Sequence, residues 1–298
     1  MTLHPQAVHA LELWAAGPSV EDPGFDLDSV TAMRRAQRVA AAAEEHEPVD
    51  RVEEVDADGV PCRLFVPAGA TAGLVFLHGG GFAFGDLDTH DAQSRRLANR
   101  TGRAVLAVDY RRPPEHPFPA APDDVDTAAR WLARHAAELS LDPARTATVG
   151  DSAGGNLALV AALRNRDLVA ACALVYPFVD PSTSGASYAA TDGGLTRGEA
   201  QWYWRQYAAT PADLVDADLA PYLSEELGAA PPTYVLVAEH DVLADEDREL
   251  ARRIEAAGGS VEVATFDGMI HGFWRHPELF DAAEESLVAL TGWLDRTV

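Results

Sequence analysis

Short apolar runs alternate with helical stretches along most of this 298-residue chain, and this alternation constrains the fold more than any other feature. The runs GLVFL (73–77), AVLAVDY (104–110) and ACALVYP (171–177) each have the length of a buried strand. Strands buried on both faces are apolar throughout, and the helices that connect them cover the sheet. We therefore predict an α/β fold with a mostly parallel sheet and helices on both faces.

Two segments depart from this alternation. Residues 1–46 are predicted to be helical around a Pro/Gly break, with Asp28 or Ser29 capping the second helix. Residues 181–218 combine a Ser/Thr/Gly-rich stretch with an aromatic helix, EAQWYWRQY. We interpret 1–48 as an N-terminal helical cap and 49–298 as a catalytic domain that carries a cap insertion at about 181–218.

Composition restricts the partners and the compartment. A net charge of −24 disfavours nucleic acid and anionic membrane surfaces, which repel a net anion. No apolar run approaches the length of a membrane span, and the start MTLHPQAVHA lacks the pattern of a secretion signal. Cys62 and Cys172 lie in apolar strand-like surroundings, which is typical of buried reduced thiols. We expect a cytoplasmic protein.

A serine motif marks the first candidate for chemistry. Gly150-Asp151-Ser152-Ala153-Gly154 fits G-x-S-x-G, between the predicted strand TATV and a predicted helix. This is the context of a nucleophile elbow, in which a sharp turn exposes the serine hydroxyl at the sheet edge. The alternative is that Ser152 only caps the helix and that the glycines allow close packing.

A serine nucleophile needs a base, and His271 is the best candidate for it. In an elbow fold the histidine is the last of the three groups along the chain. His271 lies in DGMIHGF, a loop between the last predicted strand and helix, from which it can reach the sheet edge. His276 lies at a predicted helix start and His240 beside the candidate acid, so both are weaker choices.

The acid that orients this histidine is predicted to be Asp241, directly after the strand TYVLVA. Asp245 and Asp247 lie in the first turn of the next predicted helix, where carboxylates stabilise the helix dipole. Asp267 precedes the histidine by only four residues and is expected to turn the loop.

The glycines of HGGGFAFG (78–85) follow the strand GLVFL. By themselves they could simply form a tight turn. Together with the elbow they predict an oxyanion hole, because backbone N–H groups must approach the oxygen that becomes negative in acyl transfer. The predicted donors are the amides of Gly80, Gly81 and Ala153.

These residues resemble the hormone-sensitive-lipase-like branch of α/β-hydrolases, the bacterial family IV esterases. The motifs that carry the resemblance are HGGGF, VDYRRPPEHPFPAAPDD, GDSAGGNLA, LVYP, EHDVLADE and DGMIHGF, from about residue 50 to the end. The resemblance implies an eight-stranded sheet under a helical cap and hydrolysis of short-acyl carboxylic esters without metal or cofactor. It assigns Ser152 as nucleophile, His271 as base and Asp241 as its orienter, and it suggests a homodimer, with VEVATF as a possible pairing edge.

Three positions depart from the family pattern: Arg112-Pro113 replaces Leu-Ala, Val242 replaces a proline, and His240 is unusual before the aspartate. None of these changes removes a catalytic group, but the first could alter the packing beneath the oxyanion loop.

Aromatic and apolar residues of the cap and the facing loops are the candidates for the walls of a pocket for a small ester. They are Phe82, Phe84, Leu195, Trp202, Trp204, Phe273 and Trp274. An amide or lactone could be the substrate of the same groups. A silent ligand-binding protein on this fold is disfavoured because all three triad residues are present. Metal-ligand motifs such as H-E-x-x-H are missing from the sequence, so we predict no metal.

Overall fold

The computed structural model of the chain describes residues 2–190 and 193–298; Thr191 and Asp192, within the predicted insertion, and Met1 lie outside the described residues. The strands in this part of the chain are β1 Arg51–Ala57, β2 Val60–Val66, β3 Gly73–Leu77, β4 Ala104–Val108, β5 Thr146–Asp151, β6 Ala171–Val175, β7 Thr233–Ala238 and β8 Val261–Phe266. The α-helices are α1 Pro5–Trp14, α2 Leu27–Ala41, α3 Asp91–Thr101, α4 Ala120–His135, α5 Ala153–Arg164, α6 Ser187–Ala190, α7 Arg197–Tyr207, α8 Ala244–Ala256 and α9 Asp281–Thr297. Short 3-10 helices occupy Pro143–Arg145, Pro211–Val215, Pro221–Leu223, Leu227–Ala229 and Phe273–Arg275.

The strands form one eight-stranded sheet in the order β1-β2-β4-β3-β5-β6-β7-β8. Pairing is parallel from β4 to β8, whereas β2 runs antiparallel to both of its neighbours. β1 and β2 form a hairpin through Asp58 and Gly59, whose φ angles of 56° and 95° suit a tight hairpin turn. The predicted mostly parallel α/β sheet is confirmed.

Two apolar layers bury the sheet. Within β3, Val75 and Leu77 pack on the side of α4, α5 and α8, and Leu74 and Phe76 pack on the side of α1, α3 and α9. β3 to β7 are buried along their whole length, because helices cover both of their faces. The carboxyl ends of these strands meet at one edge of the sheet, and loop side chains from distant parts of the sequence converge there.

The two segments predicted to form a cap contact each other. Ser19 donates a hydrogen bond to the Glu199 carboxylate (3.1 Å), and the rings of Phe25 and Trp202 meet edge to face at 5.6 Å. The second helix is capped by Asp26, which accepts the Ser29 N–H at 2.9 Å. The prediction of Asp28 or Ser29 as its cap was therefore wrong: α2 begins earlier than its apolar pattern indicated.

No helix in the described ranges is long and apolar enough to cross a membrane. Cys62 and Cys172 are buried free thiols, as predicted. Burial raises the pKa of each to about 12.

Candidate active site

Ser152 lies at the sharp turn between β5 and α5. Its φ of 55° and ψ of −121° lie outside the regions that residues with a side chain normally adopt. The neighbouring backbone holds this conformation, because the Ser152 N–H donates to the Val175 carbonyl (2.9 Å) and its carbonyl accepts the Phe178 N–H (3.0 Å). A simple helix cap is excluded, since the Ser152 hydroxyl makes no capping hydrogen bond to α5.

The two motif glycines make this turn possible. A Cβ on Gly154 would overlap the carbonyl of Leu77 at the end of β3, and a Cβ on Gly150 would overlap the Gly154 carbonyl. Strand and helix therefore pack closer together than any side chain allows. The result is a hydroxyl held rigidly above the sheet edge.

Ser152, His271 and Asp241 form one hydrogen-bonded chain. His271 Nε2 lies 3.0 Å from Ser152 Oγ, and His271 Nδ1 lies 2.7 Å from Asp241 Oδ2. The other carboxylate oxygen accepts the Leu243 N–H at 2.9 Å, which fixes the carboxylate plane. Asp241 is fully buried. The loops after β7 and β8 bring Asp241 and His271 to Ser152.

The weaker candidates lie in other environments. Asp245 accepts the Ser187 N–H (2.8 Å), and His276 pairs with Glu278 (2.8 Å). Asp247 is buried in α8, and burial raises its pKa well above its usual range. His240 faces Glu239 at 3.7 Å.

The charges around His271 favour the protonated form of its imidazole. Burial by itself lowers the pKa of an imidazole, but the charge and the hydrogen bond of Asp241, with Asp151 adding to them, raise the pKa of His271 above its usual value. Burial also raises the pKa of Asp151 to about 6, against the opposing influence of Arg275 and the Gly79 N–H. The site therefore stabilises the imidazolium that a proton transfer from Ser152 would form.

The glycine loop after β3 lies over the serine. Gly80 and Gly81 have φ angles of 114° and 58°, and a Cβ on Gly81 would overlap the ring of Tyr203. The amides of Gly80, Gly81 and Ala153 find no acceptor in the part of the chain that the structure describes. They are free to donate to an oxygen bound beside Ser152.

Buried polar contacts hold this loop in place. Asp151 Oδ1 accepts the Gly79 N–H at 3.1 Å, and the Tyr110 hydroxyl donates to the His78 carbonyl at 2.8 Å. The ring of Tyr110 stacks on His78 at 4.3 Å. Burial lowers the pKa of His78 to about 4, so its ring is neutral near pH 7.

Arg34 of α2 connects the loop to the cap segment. Its guanidinium donates to the Ala83 carbonyl (2.8 Å) and to the Pro113 carbonyl (2.7 Å), and it pairs with Glu115 (2.7 Å). The departure at Arg112-Pro113 thus lies in a segment that is tied to the glycine loop through Arg34. Nothing local in the sequence indicates this link, because its partners are 49 and 79 residues away.

A cavity of about 210 Å³ opens at Ser152 and His271. Of the candidate wall residues, Phe84 and Leu195 line it. Phe178 and Tyr203 line it too, with polar groups from Gln37, Glu199, His90 and Arg275. None of these residues was a wall candidate from the sequence, although Glu199 and Tyr203 lie in the aromatic helix EAQWYWRQY.

The other five candidate wall residues lie outside this cavity. Phe82 stacks on Tyr207 at 3.7 Å, and Trp204 packs on Phe178 at 4.3 Å. Trp202 is turned toward α2 and Phe25. Phe273 and Trp274 are buried in the layer beneath the sheet. In each case packing against the core or the cap segments removes the ring from the cavity.

Metal ligation has no support in the side-chain arrangement: within residues 2–190 and 193–298, no group of three or more His, Cys, Asp or Glu side chains is placed to hold an ion.

The sheet order, the elbow and the hydrogen-bonded chain define the α/β hydrolase fold. The sequence profile of that fold family matches residues 74–275, and the chain belongs to this family, in its hormone-sensitive-lipase-like branch. The chain is similar to an ethyl acetate hydrolase of Pseudomonas putida, with 35% identity over 97% of both chains. It is 36% identical to a carboxylesterase of Mycobacterium tuberculosis, over 87% of this chain and 86% of the relative.

Solved structures of esterases also resemble this chain. A hyperthermophilic esterase from the archaeon Pyrobaculum calidifontis superposes with a TM-score of 0.90 at 33% identity, covering 99% of this chain and 98% of that structure. A thermostable carboxylesterase from a metagenomic library gives a TM-score of 0.83 at 35% identity, covering 89% and 96%.

Proposed function

We propose that this protein is a serine carboxylesterase that hydrolyses small carboxylic esters. The observation that carries the proposal is the chain from Asp241 through His271 to Ser152, with distances of 2.7 and 3.0 Å, at the floor of a cavity. The esterases among its relatives support the same reaction class.

In the first half-reaction, Ser152 Oγ attacks the ester carbonyl carbon while His271 Nε2 accepts the hydroxyl proton. The carbonyl oxygen becomes negative and accepts hydrogen bonds from the amides of Gly80, Gly81 and Ala153. When the carbon–oxygen bond to the alcohol breaks, His271 returns the proton to the departing alcohol. An acyl-enzyme on Ser152 remains.

In the second half-reaction, water attacks the acyl carbon and His271 accepts its proton. The bond to Ser152 Oγ breaks, the serine recovers its proton, and a carboxylate leaves. Asp241 accepts the hydrogen bond from His271 Nδ1 and stabilises the imidazolium in both steps.

The size of the cavity supports short-acyl substrates. Its volume of about 210 Å³ lies below the range of about 300–1,000 Å³ typical of pockets for drug-sized ligands. We propose that residues 1–48 and 181–218 act together as a cap that limits this volume, since Gln37 and Tyr203 from these segments line it. The homodimer and the cytoplasmic location stay predictions; β8, with Val263 exposed, is the edge that could pair.

Covalent labelling tests the proposal. Diethyl p-nitrophenyl phosphate should phosphorylate one serine, release one equivalent of p-nitrophenol and abolish ester hydrolysis. Peptide mapping should place the label on Ser152, and the Ser152→Ala variant should take up none. Full activity after treatment, or a label on another residue, would contradict the assignment.

A further inference from the structure

Arg34 of α2 reaches the glycine loop from the N-terminal cap segment. Its side chain is 18% exposed, and its Nε donates to the Ala83 carbonyl at 2.8 Å. The two terminal nitrogens are held as well, one by the Pro113 carbonyl and one by the Glu115 carboxylate, each at 2.7 Å. All three nitrogens of the guanidinium therefore have a partner, and the planar group is fixed in one orientation.

The Ala83 carbonyl belongs to a peptide group that continues toward the oxyanion donors. The N–H of the same peptide group, which is that of Phe84, donates to the Gly80 carbonyl at 2.8 Å. The Gly80 carbonyl in turn shares its peptide plane with the Gly81 N–H, one of the predicted donors to the oxyanion. Two hydrogen-bonded peptide groups thus connect the guanidinium of Arg34 to the Gly81 amide.

A second arginine fixes the far end of the glycine loop. Arg38 lies one turn after Arg34 on α2, so the two side chains project from the same face of the helix. Its Nε donates to the Asp86 carboxylate at 2.5 Å, and the other oxygen of this carboxylate accepts the Thr89 N–H at 2.8 Å. The N-terminal cap segment therefore holds the loop at both Ala83 and Asp86.

We propose that Arg34 is a positioning residue of the oxyanion hole: through the two peptide groups it orients the Gly81 N–H and strengthens it as a donor. A cation bound to a carbonyl polarises the peptide group, and hydrogen bonds in a chain strengthen one another. Arg34 is not among the residues that line the active-site cavity, so it acts through the loop and not by touching the substrate. The inference rests on the proposed ester hydrolysis, in which the oxyanion forms.

Turnover per active site tests this role. Titration with diethyl p-nitrophenyl phosphate counts the competent sites, so unfolded molecules do not lower the kcat obtained. We expect Arg34→Met to lower kcat for p-nitrophenyl acetate about 10²-fold with little change in KM, because a misplaced donor affects the transition state more than the bound ester. Arg34→Lys keeps the charge but cannot make all three contacts, so its kcat should lie between those of Arg34→Met and the wild type. Arg35→Met removes the same charge at the exposed neighbouring position and should keep the wild-type kcat.

A thionoester separates an effect on the oxyanion from an effect on the base. Sulfur accepts hydrogen bonds weakly, so p-nitrophenyl thionoacetate gains less from the oxyanion donors than p-nitrophenyl acetate does. The ratio of kcat/KM for the oxygen ester to that for the thionoester should fall in Arg34→Met. It should stay near the wild-type ratio in Asp241→Asn, which impairs the base.

Two results would overturn the positioning role: an unchanged kcat per site in Arg34→Met, or a lower kcat with an unchanged ratio of the two esters. A wild type that neither hydrolyses p-nitrophenyl acetate nor reacts with the phosphate would instead contradict the proposed function itself. The failure of the positioning role and the failure of the proposed function are therefore distinguishable.

Discussion

Replacing Asp241 by asparagine removes the charge beside His271 while keeping the size of the side chain. In the wild type, the carboxylate oxygen lies 2.7 Å from Nδ1 and is fully buried. At an effective dielectric constant of about 20, unit charges at that separation attract by about 6 kcal/mol. The asparagine amide can in addition donate to Nδ1, which places the imidazole proton on the nitrogen that should accept from Ser152.

We therefore expect Asp241→Asn to lower kcat about 10⁴-fold, equivalent to about 5 kcal/mol of transition-state stabilisation. The asparagine oxygen can still accept the Leu243 N–H, so the melting temperature should change little. The assay is steady-state hydrolysis of p-nitrophenyl acetate, accompanied by thermal unfolding. Asp245→Asn is the matched control and should keep turnover near the wild-type level. A folded Asp241→Asn enzyme with nearly full activity, or a large loss in Asp245→Asn instead, would show that Asp241 does not orient His271.

The remaining predictions concern pH and chain length. Only the neutral imidazole of His271 can accept the serine proton, and the pKa of His271 is raised above 6.5, so kcat/KM should rise with pH with a midpoint above that value. In Asp241→Asn the burial that lowers this pKa acts without the opposing carboxylate, so the midpoint should move to lower pH. A rate that is flat from about pH 5 to 8 would contradict the role of the histidine. Tyr203→Ala should enlarge the cavity and shift the preferred p-nitrophenyl ester to a longer acyl chain. Tyr222 lies outside the cavity, so Tyr222→Ala should leave the preferred chain length unchanged. An unchanged chain-length profile in Tyr203→Ala would show that Tyr203 does not limit the acyl group.

The sheet and the triad could be predicted because their signals are local. Buried strands such as β3 are apolar at every position, and the elbow glycines stand next to the serine in sequence. The order of Ser152, Asp241 and His271 along the chain follows from the topology, since each lies directly after a strand or in the loop beyond one.

The cavity wall could not be predicted in the same way. Trp202, Tyr203 and Trp204 are consecutive on α7, yet Trp202 turns toward α2, Tyr203 covers Gly81, and Trp204 packs inward. Which ring meets the substrate depends on how α7 is rotated against the rest of the molecule. The pattern of aromatic residues does not determine that rotation.

The buried position of Arg96 could not be predicted from the sequence either. An arginine on a helix normally finds a carboxylate or water, and nothing in DAQSRRLANR distinguishes Arg96 from its neighbour Arg95. Arg95 pairs with Asp91 on its own helix. Arg96 is buried and forms no ion pair with any of the described residues. The different environments of Arg95 and Arg96 follow only from the packing of α3 against the segment before α9.

Hydrolysis of p-nitrophenyl esters from acetate to dodecanoate, by the wild type and by Ser152→Ala, measures whether Ser152 is the nucleophile of a short-chain esterase. We expect the wild type to cleave the short esters fastest and the serine variant to lose this activity while remaining folded. A folded wild type that cleaves none of the esters, or a Ser152→Ala variant that keeps wild-type turnover, would contradict it.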